Sequence, residues 1–348
     1  MAGLTYTTNG QPGLTRRRGG KVFCYRDRAG ARIADPATLA GIRALAIPPA
    51  WTKVWICPDP DGRLQAVGED DKGRKQYRYH ARFRALRDEV KFEHMLAFAE
   101  TLPRLRRQVA ADMAAHGLGR AKVLATVIHL LESTMIRVGN ESYAKDNKSY
   151  GLTTLLGRHV QVDGSDLRFH FKGKSGKIWR LSVRDRRIAR TVKSCQDLPG
   201  QHLFQYVDGD GLRQAVTSTD VNAYLREVSG AVITAKDFRT WTGSVMAALA
   251  LAQFETADSQ ARAKTNIAQA VKQVAAKLGN TPTICRKCYI HPEIINAYFD
   301  GVLWLEIQTD HDASLDAERE HFRSEEAAVL SFLLARRADA TTSGPDAA

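Results

Sequence analysis

The chain has 348 residues, 44% of them hydrophobic, and carries 51 Lys and Arg against 38 Asp and Glu. This length allows two ordinary domains, the apolar content excludes a wholly disordered chain, and no apolar run approaches the length of a membrane span. The net charge of +13 is clustered: seven Lys or Arg and no acid lie in residues 72–87, and ten against one acid in residues 168–193. Such clustering is typical of proteins that bind nucleic acids.

Five cysteines are spread along the chain, and only Cys285 and Cys288 lie close together. The count is odd and no signal peptide is evident, so we expect reduced thiols in a cytoplasmic protein. A structural zinc site would need a second ligand pair, which His291 and the other histidines do not supply at a suitable spacing. We therefore expect no metal and no other cofactor.

The N-terminal part of the sequence predicts an arm followed by a small domain. Residues 1–20 are polar and include the run Arg16–Arg18, which favours a flexible basic arm. Short apolar runs then predict a β-rich domain over residues 21–90. Within it, Val54–Cys57 and Leu64–Val67 flank a turn and predict a hairpin.

The segment RKQYRYH, which begins at Arg74, interleaves basic and aromatic residues. Cations such as Arg74 and Lys75 can contact phosphates, whereas Gln76, Tyr77 and Tyr79 can reach bases or sugars. An exposed strand with alternating faces explains the same composition equally well.

Residues 91–337 predict a larger, mostly helical domain, so the whole chain falls in the α+β class. Residues 82–116 show helical spacing that we expect Pro103 to interrupt. Residues 121–138 predict a strongly amphipathic helix that ends near Arg137. An arginine at that place can simply cap carbonyl groups or extend its charge to water.

Arg239 lies in the first turns of another apolar helix, which the capping-box pattern Thr234–Asp237 is expected to begin. A buried arginine must find an anion, either an internal carboxylate or a phosphate.

A three-stranded meander is predicted over residues 158–183, with Lys174 at the tip of its second hairpin. A lysine at such a tip is usually solvated, but it could instead reach into a cleft and donate a proton. The surrounding GKSGK is not a phosphate-binding P-loop, because its spacing differs and it lies between strands.

Tyr289 follows an Ala/Gln/Lys-rich helical run over residues 257–278, which we expect to be partly exposed and able to move. A tyrosine hydroxyl has an unperturbed pKa of about 10 and is a poor nucleophile at neutral pH. The neighbouring Arg286 and Lys287 would favour the phenolate and bind a phosphate that it could attack. A packed, half-buried tyrosine is the ordinary alternative.

The C-terminal part of the sequence predicts two further features. Residues 310–326 are rich in acids and predict a surface helix that faces away from DNA. Residues 338–348 predict a disordered tail.

Four residue types together match one kind of chemistry. Phosphoryl transfer without a metal needs a nucleophile, cations on the non-bridging oxygens and an acid for the leaving oxygen. Tyr289, the arginines Arg137 and Arg239, and Lys174 supply that set.

The sequence resembles the type IB DNA topoisomerases in the compact, poxvirus-like form found in bacteria. The resemblance extends from about residue 45 to residue 292. The stretches that carry it are IPPAWTKVWICPDPDGRLQA, GRKQYRYH, STMIRVGNESYAKDNKSYGLTTL, FKGKSGK, TAKDFRTW and GNTPTICRKCYIHP.

This resemblance implies a two-domain clamp around duplex DNA, in which Tyr289 makes a 3′-phosphotyrosyl link. Arg137 and Arg239 align with the cations that stabilise the transition state, and Lys174 aligns with the general acid for the 5′-hydroxyl. Asn280 departs from the pattern, since poxvirus and eukaryotic members have histidine there. Its amide can donate a hydrogen bond but carries no charge, or it simply caps the next helix.

The resemblance further implies that Gln76, Tyr77 and Tyr79, together with Arg74 and Lys75, contact DNA. The implied activity relaxes supercoils of either sign without ATP or metal. We expect a monomer that associates with the nucleoid and not with a membrane.

Two other classes of protein share parts of this pattern. A tyrosine recombinase uses a similar set of side chains, but typically has His-x-x-Arg where this chain has Lys236 and Arg239. A non-catalytic DNA clamp explains the basic clusters but not the tyrosine.

Overall fold

The computed structural model describes residues 3–20, 22–254, 257–306 and 324–342. The chain divides into two compact units, Met1–Glu93 and His94–Ala348. The first contains an antiparallel sheet, and the second is mostly helical with two small sheets, so the predicted α+β class is confirmed.

The N-terminal unit contains a five-stranded antiparallel sheet and a short helix. Its elements are β1 (Leu14–Gly19), β2 (Val22–Arg26), α1 (Pro36–Ala44), β3 (Thr52–Ile56), β4 (Leu64–Glu69) and β5 (Lys75–Tyr79). The strand order is β2-β1-β3-β4-β5, and the predicted β3–β4 hairpin is confirmed. A buried apolar cluster holds α1 against the sheet through Ile42, Val54, Ile56 and Ala66.

The structure differs from the expectation of a flexible N-terminal arm, because Leu14–Gly19 forms β1 between β2 and β3. Leu14 is buried in the apolar cluster. The Arg16 guanidinium donates to the backbone oxygens of Ile47, Pro48 and Trp51. The arginine run makes this segment look polar in the sequence. In the structure, buried Leu14 and three hydrogen bonds from Arg16 to carbonyl oxygens hold the strand in the sheet.

The C-terminal unit is built from helices and two small sheets. The helices are α2 (Ala81–Ala114, which begins in the N-terminal unit), α3 (Arg120–Thr134), α4 (Glu141–Asn147), α5 (Arg186–Asp197), α6 (Ser218–Ser229), α7 (Ala235–Ala252), α8 (Gln260–Leu278), α9 (Pro282–Cys288), α10 (Pro292–Phe299) and α11 (Ser324–Thr342). The strands are β6 (Val160–Asp163), β7 (Asp166–Lys172), β8 (Ile178–Arg184), β9 (Gln205–Val207) and β10 (Arg213–Ala215). Strands β6, β7 and β8 form the predicted meander, which is confirmed.

Helix α2 continues through Pro103, so the predicted break there is wrong. Proline removes one helical hydrogen bond and crowds the preceding turn. In this helix Phe98, Leu102 and Leu105 are almost completely buried around the proline. Their burial favours the packed, continuous helix and opposes the cost of the proline.

Helix α7 lies against α3, α8, α10 and α11. It begins after Thr234, whose backbone N–H donates to the Asp237 carboxylate, which confirms the predicted helix start. Helix α8 buries a stripe that includes Ile267, Val271 and Val274. The opposite face, which includes Arg262, Lys264 and Lys272, is exposed, so the expectation of a partly exposed helix is confirmed, while its ability to move stays a prediction. Alanines on the same stripe carry too little side chain to mark the face as apolar in the sequence.

Helix α11 is held by an ion network that the sequence does not reveal. Arg106 lies within 2.5 Å of Glu132 and 2.7 Å of Glu326, whose carboxylate also accepts from the Trp241 indole. Burial opposes the charge on Arg106, but the two carboxylates outweigh it and raise the pKa of the guanidinium.

The helix continues to Thr342, which differs from a disordered tail starting at residue 338. The expected acidic helix lies mostly outside the described residues. Among the helices that are described, each is too short or too polar to cross a lipid bilayer.

Candidate active site

Arg137 follows the end of α3, which is closed by a residue in the left-handed conformation. Met135 ends the helix with φ 58°, a conformation that is uncommon for a residue with a side chain. Its carbonyl accepts a hydrogen bond from Arg239 Nη1. The carbonyl of half-buried Arg137 accepts from Leu152 N at 2.9 Å. This turn fixes the backbone from which the Arg137 side chain extends.

Arg239 is 97% buried in the first turns of α7, since its exposed fraction is only 3%. Its Nη2 donates to the Leu278 carbonyl at 2.5 Å, so the guanidinium joins the ends of α3 and α8. The guanidinium carbon lies 5.3 Å from the centre of the Tyr289 ring. Its Nε is buried without a hydrogen-bond partner among the described residues.

The site concentrates positive charge. Burial lowers the pKa of Arg239, Arg137 lowers it further, and Tyr289 opposes both. A guanidinium nevertheless keeps its charge at neutral pH. In the described part of the chain, neither arginine forms an ion pair with a carboxylate. Two cations without a carboxylate partner in the described ranges are able to bind an anion from outside the protein.

Asn280 contacts Arg137 directly, although 143 residues separate them. Helix α8 ends at Gly279 with φ 63°, and this left-handed turn directs the chain toward α9. The Asn280 Oδ1 accepts from Arg137 Nη2, while its Nδ2 is buried without a hydrogen-bond partner in the described ranges. The alternative of a simple helix cap is wrong, since Thr281 caps α9.

Tyr289 lies in the break between α9 and α10, where its φ of −130° and ψ of −5° leave the helical conformation. Its N–H donates to the Cys285 carbonyl at 2.9 Å, and its side chain is half-buried. The phenol ring faces Arg239, whose neighbour in space is Arg137. Tyr289, Arg137, Arg239 and Asn280 therefore form one cluster.

Lys174 is not part of this contact set. It is exposed in a short 3-10 turn between β7 and β8, where Ser175 adopts φ 61°. The base of the same hairpin lies beside the cluster. Lys177 Nζ is 3.5 Å from the Ala276 carbonyl, and a side chain at Gly279 would meet the Trp179 ring at 2.9 Å. The lysine is thus carried on a turn whose base lies against the end of α8.

The five predicted DNA contacts lie in the N-terminal unit, in or just before β5. Tyr77 and Tyr79 share one face, and their rings stack with centroids 6.1 Å apart. Lys75 is exposed. The Arg74 guanidinium and the Gln76 amide both bind the Asp70 carboxylate.

Several residues of the cluster were not predicted. Cys285 is fully buried, and burial raises the pKa of its thiol, whereas the charge on Arg239 lowers it. Gly243 and Ser244 of α7 contact the Tyr289 backbone. The useful signal in the sequence is that Gly243 follows Arg239 by about one helical turn and Ser244 comes directly after it.

A tyrosine beside two guanidinium groups that pair with no carboxylate of the described residues forms a candidate phosphoryl-transfer site, in which the tyrosine could serve as nucleophile. Residues 80–310 match the family described as eukaryotic DNA topoisomerase I, catalytic core. Residues 22–70 match the bacterial DNA topoisomerase IB N-terminal domain. The chain therefore belongs to the type IB DNA topoisomerases, which are isomerases that act on DNA, and the resemblance seen in the sequence is confirmed.

Individual relatives agree with this assignment. The DNA topoisomerase 1B of Acanthamoeba polyphaga mimivirus is 32% identical over 293 residues, which cover 82% of this chain and 87% of the relative. The DNA topoisomerase 1B of Vaccinia virus (strain Copenhagen) is 23% identical over 270 residues, covering 75% and 81%.

Proposed function

We propose that this topoisomerase relaxes positive and negative supercoils through a transient single-strand break in which Tyr289 holds the 3′-phosphate. The observation that carries the proposal is the Tyr289 ring facing the buried Arg239, with Arg137 and Asn280 beside it. A cationic cluster of this kind stabilises the charge that develops on a phosphodiester under attack.

In the proposed cleavage, Tyr289 Oη attacks the phosphorus and its proton leaves to solvent. A phosphorus–oxygen bond to the Tyr289 oxygen forms as the bond to the 5′-oxygen breaks. The Lys174 ammonium gives a proton to the departing 5′-oxygen, which leaves as a hydroxyl. Religation reverses these steps, with the 5′-hydroxyl attacking and Tyr289 leaving.

The two arginines have different surroundings and therefore different proposed contributions. Arg239 is fixed by carbonyls on two elements, so it offers its charge without rearrangement. Arg137 is half-buried and oriented by Asn280 Oδ1, which leaves the rest of its guanidinium for the non-bridging oxygens. The unpartnered Asn280 Nδ2 is a further donor for the same oxygens.

Lys174 must approach the scissile phosphate from its exposed turn. We assign it the general acid because the turn is anchored beside the cluster through Lys177 and Trp179. Closure of the turn on bound DNA would bring the ammonium to the leaving oxygen.

Strand rotation in the nicked intermediate accounts for the relaxation of either sign. The phosphotyrosyl link conserves the energy of the broken phosphodiester, so religation needs no ATP. The protein's own guanidinium groups supply the positive charge, and the proposed mechanism assigns no step to a metal.

Duplex DNA is the partner, contacted in part by Arg74, Lys75, Gln76, Tyr77 and Tyr79. The enzyme acts as a monomer at the nucleoid.

Relaxation of supercoiled plasmid in EDTA without ATP tests this function. The native protein is expected to give ladders of relaxed topoisomers from both positive and negative supercoils. Tyr289→Phe should bind DNA equally well but give no ladder and no covalent adduct. Tyr206→Phe, which removes the hydroxyl of a tyrosine on β9, serves as the matched control and should be fully active.

Failure of the native protein to relax DNA that it binds would reject the proposal. Strand exchange that requires paired specific sites would favour a recombinase, and binding alone would favour a non-catalytic clamp.

A further inference from the structure

Two residues of α7 support the backbone at Tyr289. Gly243 follows Arg239 by four residues and faces the same side of the helix. A Cβ at Gly243 would lie 2.5 Å from the Tyr289 carbonyl oxygen and 3.1 Å from the Tyr289 Cβ. Only glycine therefore allows the chain at Tyr289 to approach α7 this closely.

Ser244 adds hydrogen bonds at the same place. Its hydroxyl is fully buried, accepts from His291 N at 2.9 Å and lies 3.0 Å from the Thr240 carbonyl. A hydroxyl has one proton, so donation to Thr240 leaves its lone pairs free for the His291 N–H. The Ser244 oxygen also lies 3.4 Å from the Tyr289 carbonyl oxygen.

These contacts matter because Tyr289 is not inside a helix. It is the C-cap of α9, and His291 is the N-cap of α10, so the helical hydrogen-bond ladder reaches the Tyr289 N–H through the Cys285 carbonyl but does not continue past it. The cation that faces its ring, Arg239, is on the same helix as Gly243 and Ser244. One rigid element thus contacts the nucleophile's backbone and carries the cation.

We propose that Gly243 and Ser244 are positioning residues that set the distance between Tyr289 and Arg239 in the cleavage reaction, without touching DNA. This inference rests on the proposed role of Tyr289 as nucleophile. A displacement of about 1 Å in a reacting group can cost about 100-fold in rate.

The test measures the rate constants of single-turnover cleavage and religation at saturating DNA. Gly243→Ala is expected to slow cleavage about 100-fold, and Ser244→Ala about tenfold, the equivalent of one lost hydrogen bond. Religation should slow by the same factor as cleavage, leaving the cleavage equilibrium unchanged, because misalignment raises one shared transition state. Affinity for DNA, measured in the Tyr289→Phe background, should stay the same.

Thr126→Val is the matched control, because it removes a buried hydroxyl that donates to the carbonyl four residues earlier in α3. It should cleave at the native rate. A variant that merely unfolds in part would lower the fraction of DNA cleaved and leave the rate constant of the folded fraction unchanged. The inference would be overturned if Ser244→Ala lowered the fraction of DNA cleaved but kept the native rate constant. It would also be overturned if Gly243→Ala and Ser244→Ala both cleaved with the native rate constant.

The outcomes separate this inference from the proposed function. Covalent adduct in the Tyr289→Phe protein would reject the role of the tyrosine itself. Loss of adduct in that protein, together with native rates in both α7 variants, would reject only the positioning role.

Discussion

The β5 surface (Arg74, Lys75, Gln76, Tyr77 and Tyr79) and the tyrosine cluster (Arg137, Arg239, Asn280 and Tyr289) both contain cations, but those cations have different partners. On the β5 surface, Arg74 is paired with Asp70, and the arginine holds the pKa of that carboxyl down to about 2. In the cluster, Arg137 and Arg239 lie among carbonyl and amide oxygens without a carboxylate in the described residues. Exposed, paired charges suit reversible contact with many phosphates, whereas buried, unpaired charges suit one phosphate under attack.

Replacement of Arg239 should have the largest effect on the rate constant of cleavage. Arg239→Ala is expected to slow single-turnover cleavage by about 100- to 1000-fold, as for loss of one preorganised transition-state donor. Arg239→Lys should restore little, because an ammonium cannot reach the Met135 and Leu278 carbonyls in the same planar geometry. Arg226→Ala, at an exposed arginine on α6, is the control, and equal losses in both variants would contradict the prediction.

Replacement of Lys174 tests whether the exposed turn reaches the reaction. Lys174→Ala should slow cleavage by about 100-fold or more, within the range of general acid catalysis. A substrate with sulfur in place of the bridging 5′-oxygen should recover the rate, since a thiolate leaves without protonation. The neighbouring Lys172→Ala is the control. An unchanged defect on the sulfur substrate would remove Lys174 from the acid role.

Substitution of Asn280 by aspartate would give Arg137 a carboxylate partner, as Asp70 already does for Arg74 on the β5 surface. Asn280→Asp places a carboxylate beside Arg137 and should slow cleavage more than Asn280→Ala, for which we expect about a tenfold loss. Asn280→His retains a donor and should remain closest to the native rate. The measurement is the cleavage rate constant at saturating DNA, and an Asp variant faster than the Ala variant would contradict it.

Changes on the β5 surface should have the smallest effect on chemistry. Lys75→Ala is expected to weaken DNA binding and to lower the slope of log affinity against log salt by about one. Tyr77→Ala should weaken binding without changing that slope, because the ring carries no charge. Both should cleave at the native rate when DNA is saturating, and a slower rate constant there would place β5 in the chemical step.

Features determined by neighbouring residues could be predicted from the sequence. The start of α7 at Thr234, the meander that presents Lys174 and the hairpin of β3 and β4 all depend on local capping, turn and alternation patterns. The resemblance to a family then supplied the candidate residues, which local patterns alone did not bring together.

Features that depend on distant contacts could not be predicted. Nothing around Asn280 indicates that its partner is Arg137, and nothing around Gly243 indicates that the Tyr289 backbone lies against it. The sequence alone predicts that Pro103 breaks α2, because it does not show that the side chains beside the proline are buried. In each case the tertiary contact, and not the local preference, determines the structure.

The two hydrogen bonds that hold the Arg239 guanidinium have an evolutionary consequence. Arg239 joins the ends of α3 and α8, so its loss would weaken the fold as well as the chemistry. Among the described residues, the side chains of Tyr289 and Lys174 do not join two helix ends in this way, and a lineage that keeps DNA binding but abandons cleavage can lose either at little cost to folding. An inactive descendant of this enzyme should therefore retain the arginine long after its tyrosine has been replaced.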